Sequence, residues 1–399
     1  MSRSACCLIW LFLSGWGLWC ESACAQEEST GQEAPEEASK LATAREKRDA
    51  AIAWLGRGQA GEAERGLREA VRLLEEAGNP VEAADVFEHI ARSRVAQSDG
   101  QGALAARVER VDRLLPLSTD DATRSLAWAR FLLGLNHLQL GQLEPAAALL
   151  REASAGFEAS WGAESKEALT GVNALANVLW HQGHWEEAAQ LLERLYRGRD
   201  VLWGKQWIRH LEVTGNLANT YRKLGRWAEA AEKFDQAYAL YREHPELSSP
   251  ESLAGLRINH GRCLRSLGRF ESAMRSFERA LDDLDDMAEG RERDVLRSHV
   301  WNDLGECARY DDRFEVALEA HERALRLRLA LKPRDLLLIG HSENNLANTL
   351  GALDRNEESL RRFERALELY EQAGLKGDPR FGLAQANLAT LLMKIGRYD

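Results

Sequence analysis

The feature that most constrains this chain is a cassette repeated at a nearly constant step, clearest in Lys223-Leu-Gly-Arg-Trp227 and Ser266-Leu-Gly-Arg-Phe270. Marking each copy by its turn residue gives Gly58, Asp99, Gly141, Gly183, Gly225, Gly268, Asp312, Asp354 and Gly396, with steps of 41, 42, 42, 42, 43, 44, 42 and 42 residues. A fixed period of this length belongs to a stack of like units, each contacting its neighbours, and not to a globular enzyme core.

The positions around the turn recur with it. Seven residues before it stands a small residue (Ala51, Gly134, Ala176, Ala218, Gly261, Gly305, Ala347, Ala389), with Arg92 the exception. Two after it an aromatic is frequent, as in Trp185, Trp227, Phe270 and Phe314. Alanine is usual at five, a large residue such as Leu150, Phe234 or Phe277 stands at nine, and alanine returns at twelve. Offsets of two, five, nine and twelve advance by three or four, so they share one helix face. Each unit reads as two antiparallel amphipathic helices, A before the turn and B after it, whose joint apolar face needs a stacked neighbour. Pro80, Pro116, Pro245, Pro250, Pro333 and Pro379 all fall between a B helix and the next A helix, and Pro145 falls in the first turn of a B helix. Proline costs ~3 kcal/mol inside a helix, so these positions mark boundaries.

Small residue, turn glycine, aromatic, alanine, phenylalanine, alanine resembles the tetratricopeptide-repeat (TPR) pattern. The long step, with Asn216-Leu-Ala-Asn-Thr-Tyr221 and Phe277-Glu-Arg-Ala-Leu281, is similar to the repeats of kinesin light chains. The resemblance covers roughly residues 41–399. It implies an all-α, right-handed TPR-like α-solenoid, a superhelix of antiparallel helix pairs. His321 departs from the pattern at the bulky B-helix slot, and the first two units lack the turn aromatic.

Ahead of the repeats, Arg3, the apolar run Cys6 to Trp19 and Ala23-Cys-Ala25 have the three parts of a secretory signal peptide. Residues 1–25 are therefore expected to be removed, leaving an exported chain, periplasmic or extracellular, with no stable membrane span. Residues 26–40 are polar and acidic and read as a flexible leader. Residues 41–399 read as a solenoid of about nine repeats, the last incomplete. Only Cys263 and Cys307 remain after cleavage, in the same slot of neighbouring A helices, and are expected as free, buried thiols. Subtracting 63 acidic from 52 basic residues leaves a net charge of −11, which argues against a nucleic-acid partner. The preference for arginine over lysine suggests a bacterial source.

Chemistry is sparse. Gly56-Arg-Gly-Gln-Ala-Gly61 spells a dinucleotide-binding turn, but its flanks are helical, not strand and helix. His181 and His184 have no third ligand at metal spacing. No catalytic residue, metal site or cofactor is read. One stripe departs from what stability alone selects. Residues ten, six and three before each turn share an A-helix face, which lines the concave surface in TPR-like arrays. They include Asn177, Asn219, Arg222, Arg262, Arg265, Asn302, Arg309, Asn344 and Asn348. Asparagine is a poor helix-interior residue. Either its amides bond neighbouring helices, or amides and guanidinium groups hold the backbone and carboxylates of an extended peptide. The chain is thus expected to be a scaffold binding a protein or peptide, with an acidic segment, in its groove. Asn216, Asn345 and Asn387 read as structural. Two alternatives stand beside this: a carbohydrate surface using Trp161, Trp180, Trp185, Trp203 and Trp207, and a sensor or docking arm of a larger enzyme. For the last, the resemblance suggests a caspase-like CHAT protease domain beyond Asp399, since the ninth unit lacks its B helix.

Overall fold

A computed structural model of the chain describes residues 35–397. The apolar run, Ala23-Cys-Ala25 and the leader as far as residue 34 lie outside the described residues. Among those described there are seventeen α-helices, one short 3-10 turn and no strand. They fall into two compact units, up to Ser118 and from Thr119. The first holds α1 (Pro35–Gly56), α2 (Ala60–Glu76), α3 (Pro80–Ala96) and α4 (Gly100–Leu114). The second holds α5 (Asp120–Gln139), α6 (Leu143–Trp161), α7 (Lys166–Gln182), α8 (Trp185–Trp203), α9 (Trp207–Lys223), α10 (Trp227–Glu243), α11 (Pro250–Ser266), α12 (Phe270–Asp285), α13 (Arg291–Tyr310), α14 (Phe314–Ala330), α15 (Leu336–Ala352), α16 (Asn356–Gln372) and α17 (Pro379–Lys394). No described helix is long and apolar enough to cross a membrane.

Odd-numbered helices are the A helices of the sequence pattern, even-numbered ones the B helices. One boundary differs. α1 begins at Pro35, so residues 35–40 of the expected flexible leader are helical. Proline at the first helical position followed by Glu36 and Glu37 suits a helix N-terminus.

The A-to-B turns share one mechanism. A residue with positive φ ends the A helix, and the amide of the next residue donates back to the carbonyl five positions before it: Gln59 to Trp54, His184 to Leu179, Arg226 to Tyr221, Arg313 to Ala308, all at 2.8–3.0 Å. This is the Schellman closure, which satisfies otherwise orphaned helix carbonyls. It also corrects one turn marker. In the second repeat the left-handed residue is Ser98 (φ 60°), while Asp99 makes the closing bond to the Arg94 carbonyl and caps α4 by accepting from the Gly102 amide at 2.8 Å. With Ser98 as the marker, the residue seven before it is Ala91 and the residue five after it Ala103, both buried. Arg92 is no exception to the small-residue rule.

That rule has a direct steric cause. The small residue lies beneath the large B-helix side chain of its own pair. A Cβ added at Gly134 would stand 2.8 Å from Leu150, and one at Gly261 would stand 2.7 Å from the Phe277 ring. The third case is Gly305 beneath His321, at 2.6 Å. His321 is buried, and neither ring nitrogen has a hydrogen-bond partner. A second buried polar group is better served. Arg328, on α14, donates to the Ser342 hydroxyl at 2.7 Å and the Leu338 carbonyl at 2.9 Å, both on α15, and its Nε lies 3.5 Å from Ser298 Oγ on α13. Cys263 and Cys307 are buried free thiols, and burial pushes them up to about 11 and about 12.

Candidate functional site

Within the second compact unit each A helix that has a B helix packs on it, and α5 touches α7, α9 touches α11, α11 touches α13, α13 touches α15 and α15 touches α17. The A helices thus form the more closely spaced layer, and their residues ten, six and three before the turn lie along it. The side chains on this stripe divide into three groups.

In the middle, α11 and α13 are joined by ion pairs. Arg262 donates through Nε to Asp303 at 2.7 Å, while Arg265 donates through Nη1 to Asp303 at 3.2 Å and also to Glu306. Asp303 is nearly buried and both arginines are half-buried. Burial opposes the charge on Arg265, but Glu306 and Asp303 outweigh it and hold its pKa above the ordinary value. Arg262 and Arg265, read as holding a peptide's carboxylates, are thus already paired with carboxylates of α13. Asp303 was missed because it stands nine before its turn, beside the stripe; the packing of α13 on α11 brings it across. Arg309 instead lies over the ring of Tyr310, 4.4 Å from its centroid, and Tyr310 stacks on Phe270 at 5.8 Å.

Toward the C-terminus the asparagines form a ladder between helices. Asn345 donates to Asn302 Oδ1 at 3.0 Å, Asn302 donates to Glu306 at 3.3 Å, and Asn387 donates to Asn344 Oδ1 at 3.3 Å. Asn302 and Asn344 are buried, while Asn348, one turn along, is half-buried. Asn345 and Asn387, read as structural, each bond the preceding A helix. Asn216 is exposed and makes no such bridge; its carbonyl accepts from Thr220 Oγ1.

Toward the N-terminus lie Asn177 on α7, and Asn219 and Arg222 on α9. All three are half-buried. Asn177 Oδ1 and Arg222 Nε are enclosed and have no hydrogen-bond partner, and no carboxylate pairs with Arg222 among the described residues. Burial, and the like charge of Arg262, pull the Arg222 pKa below its ordinary value. An arginine stays protonated through such a shift, so Arg222 is an unpaired cation with part of its hydration removed.

The tryptophans do not form one platform. Trp161 packs edge-on against Phe157, Trp203 and Trp207 gather around His210, and Lys223 lies over Trp185. His181 and His184 are exposed at their turn.

A family profile described as tetratricopeptide repeat matches residues 167–243 and 294–372, and a second profile of the same description matches 131–201 and 216–290. Among solved structures, the apo quorum sensor NprR from B. thuringiensis shares 15% identity, with 82% of this chain and 83% of that one covered at a TM-score of 0.49. BtubC (BKLC) from P. vanneervenii shares 20% identity over 58% of this chain and 92% of its own, at 0.48. The TPR-like repeats of a Podosopora anserina kinesin light chain share 18% over 54% of this chain and 100% of theirs, at 0.44. No curated protein sequence matches the chain.

Proposed function

Because the chain belongs to the tetratricopeptide-repeat family, we propose that it is a non-catalytic interaction scaffold whose A-helix layer holds an extended peptide or protein segment bearing a carboxylate. The observation that carries this reading is Arg222, a half-buried guanidinium with no carboxylate partner among the described residues, on the A helix before that of Arg262 and one helical turn from Asn219. An incoming carboxylate supplies the missing counter-charge, and Asn177 and Asn219 have amides for its backbone. Arg262 and Arg265 contribute less, because a ligand must first compete with Asp303 and Glu306.

Capture from the native envelope fraction yields the bound segment, and its affinity is then measured for two variants. Arg222→Ala is expected to weaken binding about tenfold, as one charge-assisted bond contributes ~1.5–3 kcal/mol when desolvated, less with partial exposure. Arg222→Lys should recover only part of this, lacking the planar fork. Equal affinity for all three proteins removes Arg222 from the site.

Export belongs to the same proposal. Arg3, the run Cys6 to Trp19 and Ala23-Cys-Ala25 support cleavage after Ala25. Mass spectrometry of the mature protein should show Gln26 at the N-terminus; an intact Met1 in a cytoplasmic fraction defeats this part. A second reading, the docking arm of a larger enzyme, is favoured by Leu383 and Met393 of α17, which are 58% and 59% exposed and give that helix an uncovered apolar face. Reading the coding sequence past Asp399 tests it.

A further inference from the structure

We propose that the cavity between α8, α9 and α10 binds a primary alkylammonium group. The cavity is about 230 Å3. That is below the ~300–1,000 Å3 usual for ligand pockets, so it suits a short carbon chain with one headgroup and not a nucleotide or a cofactor.

Its inner end is His210, 2% exposed. The Gly204 carbonyl accepts a hydrogen bond from the ring, and Asp200 Oδ1 lies 3.8 Å from Nδ1. With the proton held on Nδ1, Nε2 is an acceptor, and it has no partner. Burial keeps the ring neutral by lowering its pKa. Trp207 meets it edge to face at 5.0 Å and fixes its plane.

The other lining groups are either spent or acceptors. Arg199, the one lining cation, lies over the Tyr196 ring at 4.1 Å and donates to the Tyr196 carbonyl. The Gln236 amide oxygen already accepts from the Tyr196 hydroxyl at 2.8 Å and from Lys233 at 3.0 Å. Asp200 and Glu243 stand exposed at the rim, neither paired with a lysine or arginine among the described residues. What remains is one deep neutral acceptor, two carboxylates, and an apolar wall of Ala239 and Leu240. This complements an ammonium donor on a methylene stem. A sugar ring fits less well, since Trp207 is stacked on His244 at 4.7 Å and Tyr196 carries both Arg199 and Lys233, the latter at 4.0 Å. The ammonium has two possible sources, a lysine of a docked protein or a small free amine. The cavity is separate from the Arg222 stripe and does not depend on it.

The test is NMR titration of the full chain, observing the His210 imidazole and Trp207 indole signals. The probes are Nα-acetyl-lysine methylamide and putrescine, with Nα-acetyl-norleucine methylamide as the uncharged control. Saturable shifts with either amine, absent with norleucine, support the proposal; the stronger of the two probes identifies the source. Asp200→Asn combined with Glu243→Gln, both exposed and harmless to folding, should weaken amine binding about fivefold, each exposed ion pair being worth a few-fold. No shift with either amine, an equal response to norleucine, or unchanged affinity in the double variant overturns it.

Discussion

Replacing His321 with phenylalanine is expected to stabilise the protein by ~1–3 kcal/mol at neutral pH. The histidine occupies the slot filled by Phe234 and Phe277 in other pairs, is 1% exposed, and leaves both ring nitrogens without a partner. An unsatisfied buried polar group costs ~1–3 kcal/mol, and phenylalanine removes that cost while keeping a flat ring above Gly305. The variant should also change the response to acid. Burial, reinforced by Arg309, His341 and Arg328, holds the His321 pKa down at about 3. The same ring titrates near ~6.5 in an unfolded chain. Between those values the unfolded chain takes up a proton that the folded chain refuses. This contribution to stability is therefore complete above the unfolded pKa and is lost as pH falls toward about 3. Thermal unfolding at pH 7.5 and 4.5 should show a decline on acidification that is shallower in His321→Phe. His341, lowered to about 4 mainly by burial, retains its share. A variant no more stable than the parent at pH 7.5, with the same decline, rules this out.

Gly261→Val should be strongly destabilising. The first atom of any side chain there meets the Phe277 ring at 2.7, 2.9 and 3.0 Å, and Phe277 is completely buried. Overpacking of this kind costs ~1–3 kcal/mol, and valine adds two methyl groups to the clash. The helix-propensity gain on leaving glycine is only ~1 kcal/mol and does not compensate. Gly255 is the control on the same helix. A Cβ at Gly255 meets nothing, so Gly255→Ala should be neutral or mildly stabilising. Denaturant unfolding of Gly261→Val, Phe277→Leu and the double variant measures the coupling, and the double variant should recover part of the loss. Additive losses mean that the two residues do not clash.

The helix pairs were legible because turn, small residue and large residue recur at fixed offsets, and each offset is one side of a steric contact. The slip at Ser98 and Asp99 shows the limit of that code. Both residues stand at the turn, and aspartate tolerates a left-handed backbone as Asp312 and Asp354 do, but here it caps the following helix instead. On the stripe, the identity of the cations was legible and their pairing was not. Whether Arg262 meets solvent or Asp303 depends on how α13 sits against α11, a quantity that spacing within one helix does not encode. The cavity at His210 was out of reach for the same reason, since three helices contribute to it.

Arg328 has a consequence for how the array comes apart. In a linear stack, unfolding from an end proceeds one pair at a time only where the coupling between neighbours is weak. Here a single guanidinium is tied to hydroxyl groups on α13 and α15 and to a carbonyl on α15, with no carboxylate ion pair among the described residues. Lifting α15 away breaks the bonds to Ser342 and Leu338 and leaves water to replace them. A fraying front moving in from α17 is therefore expected to slow at this junction, where one side chain bridges α13, α14 and α15.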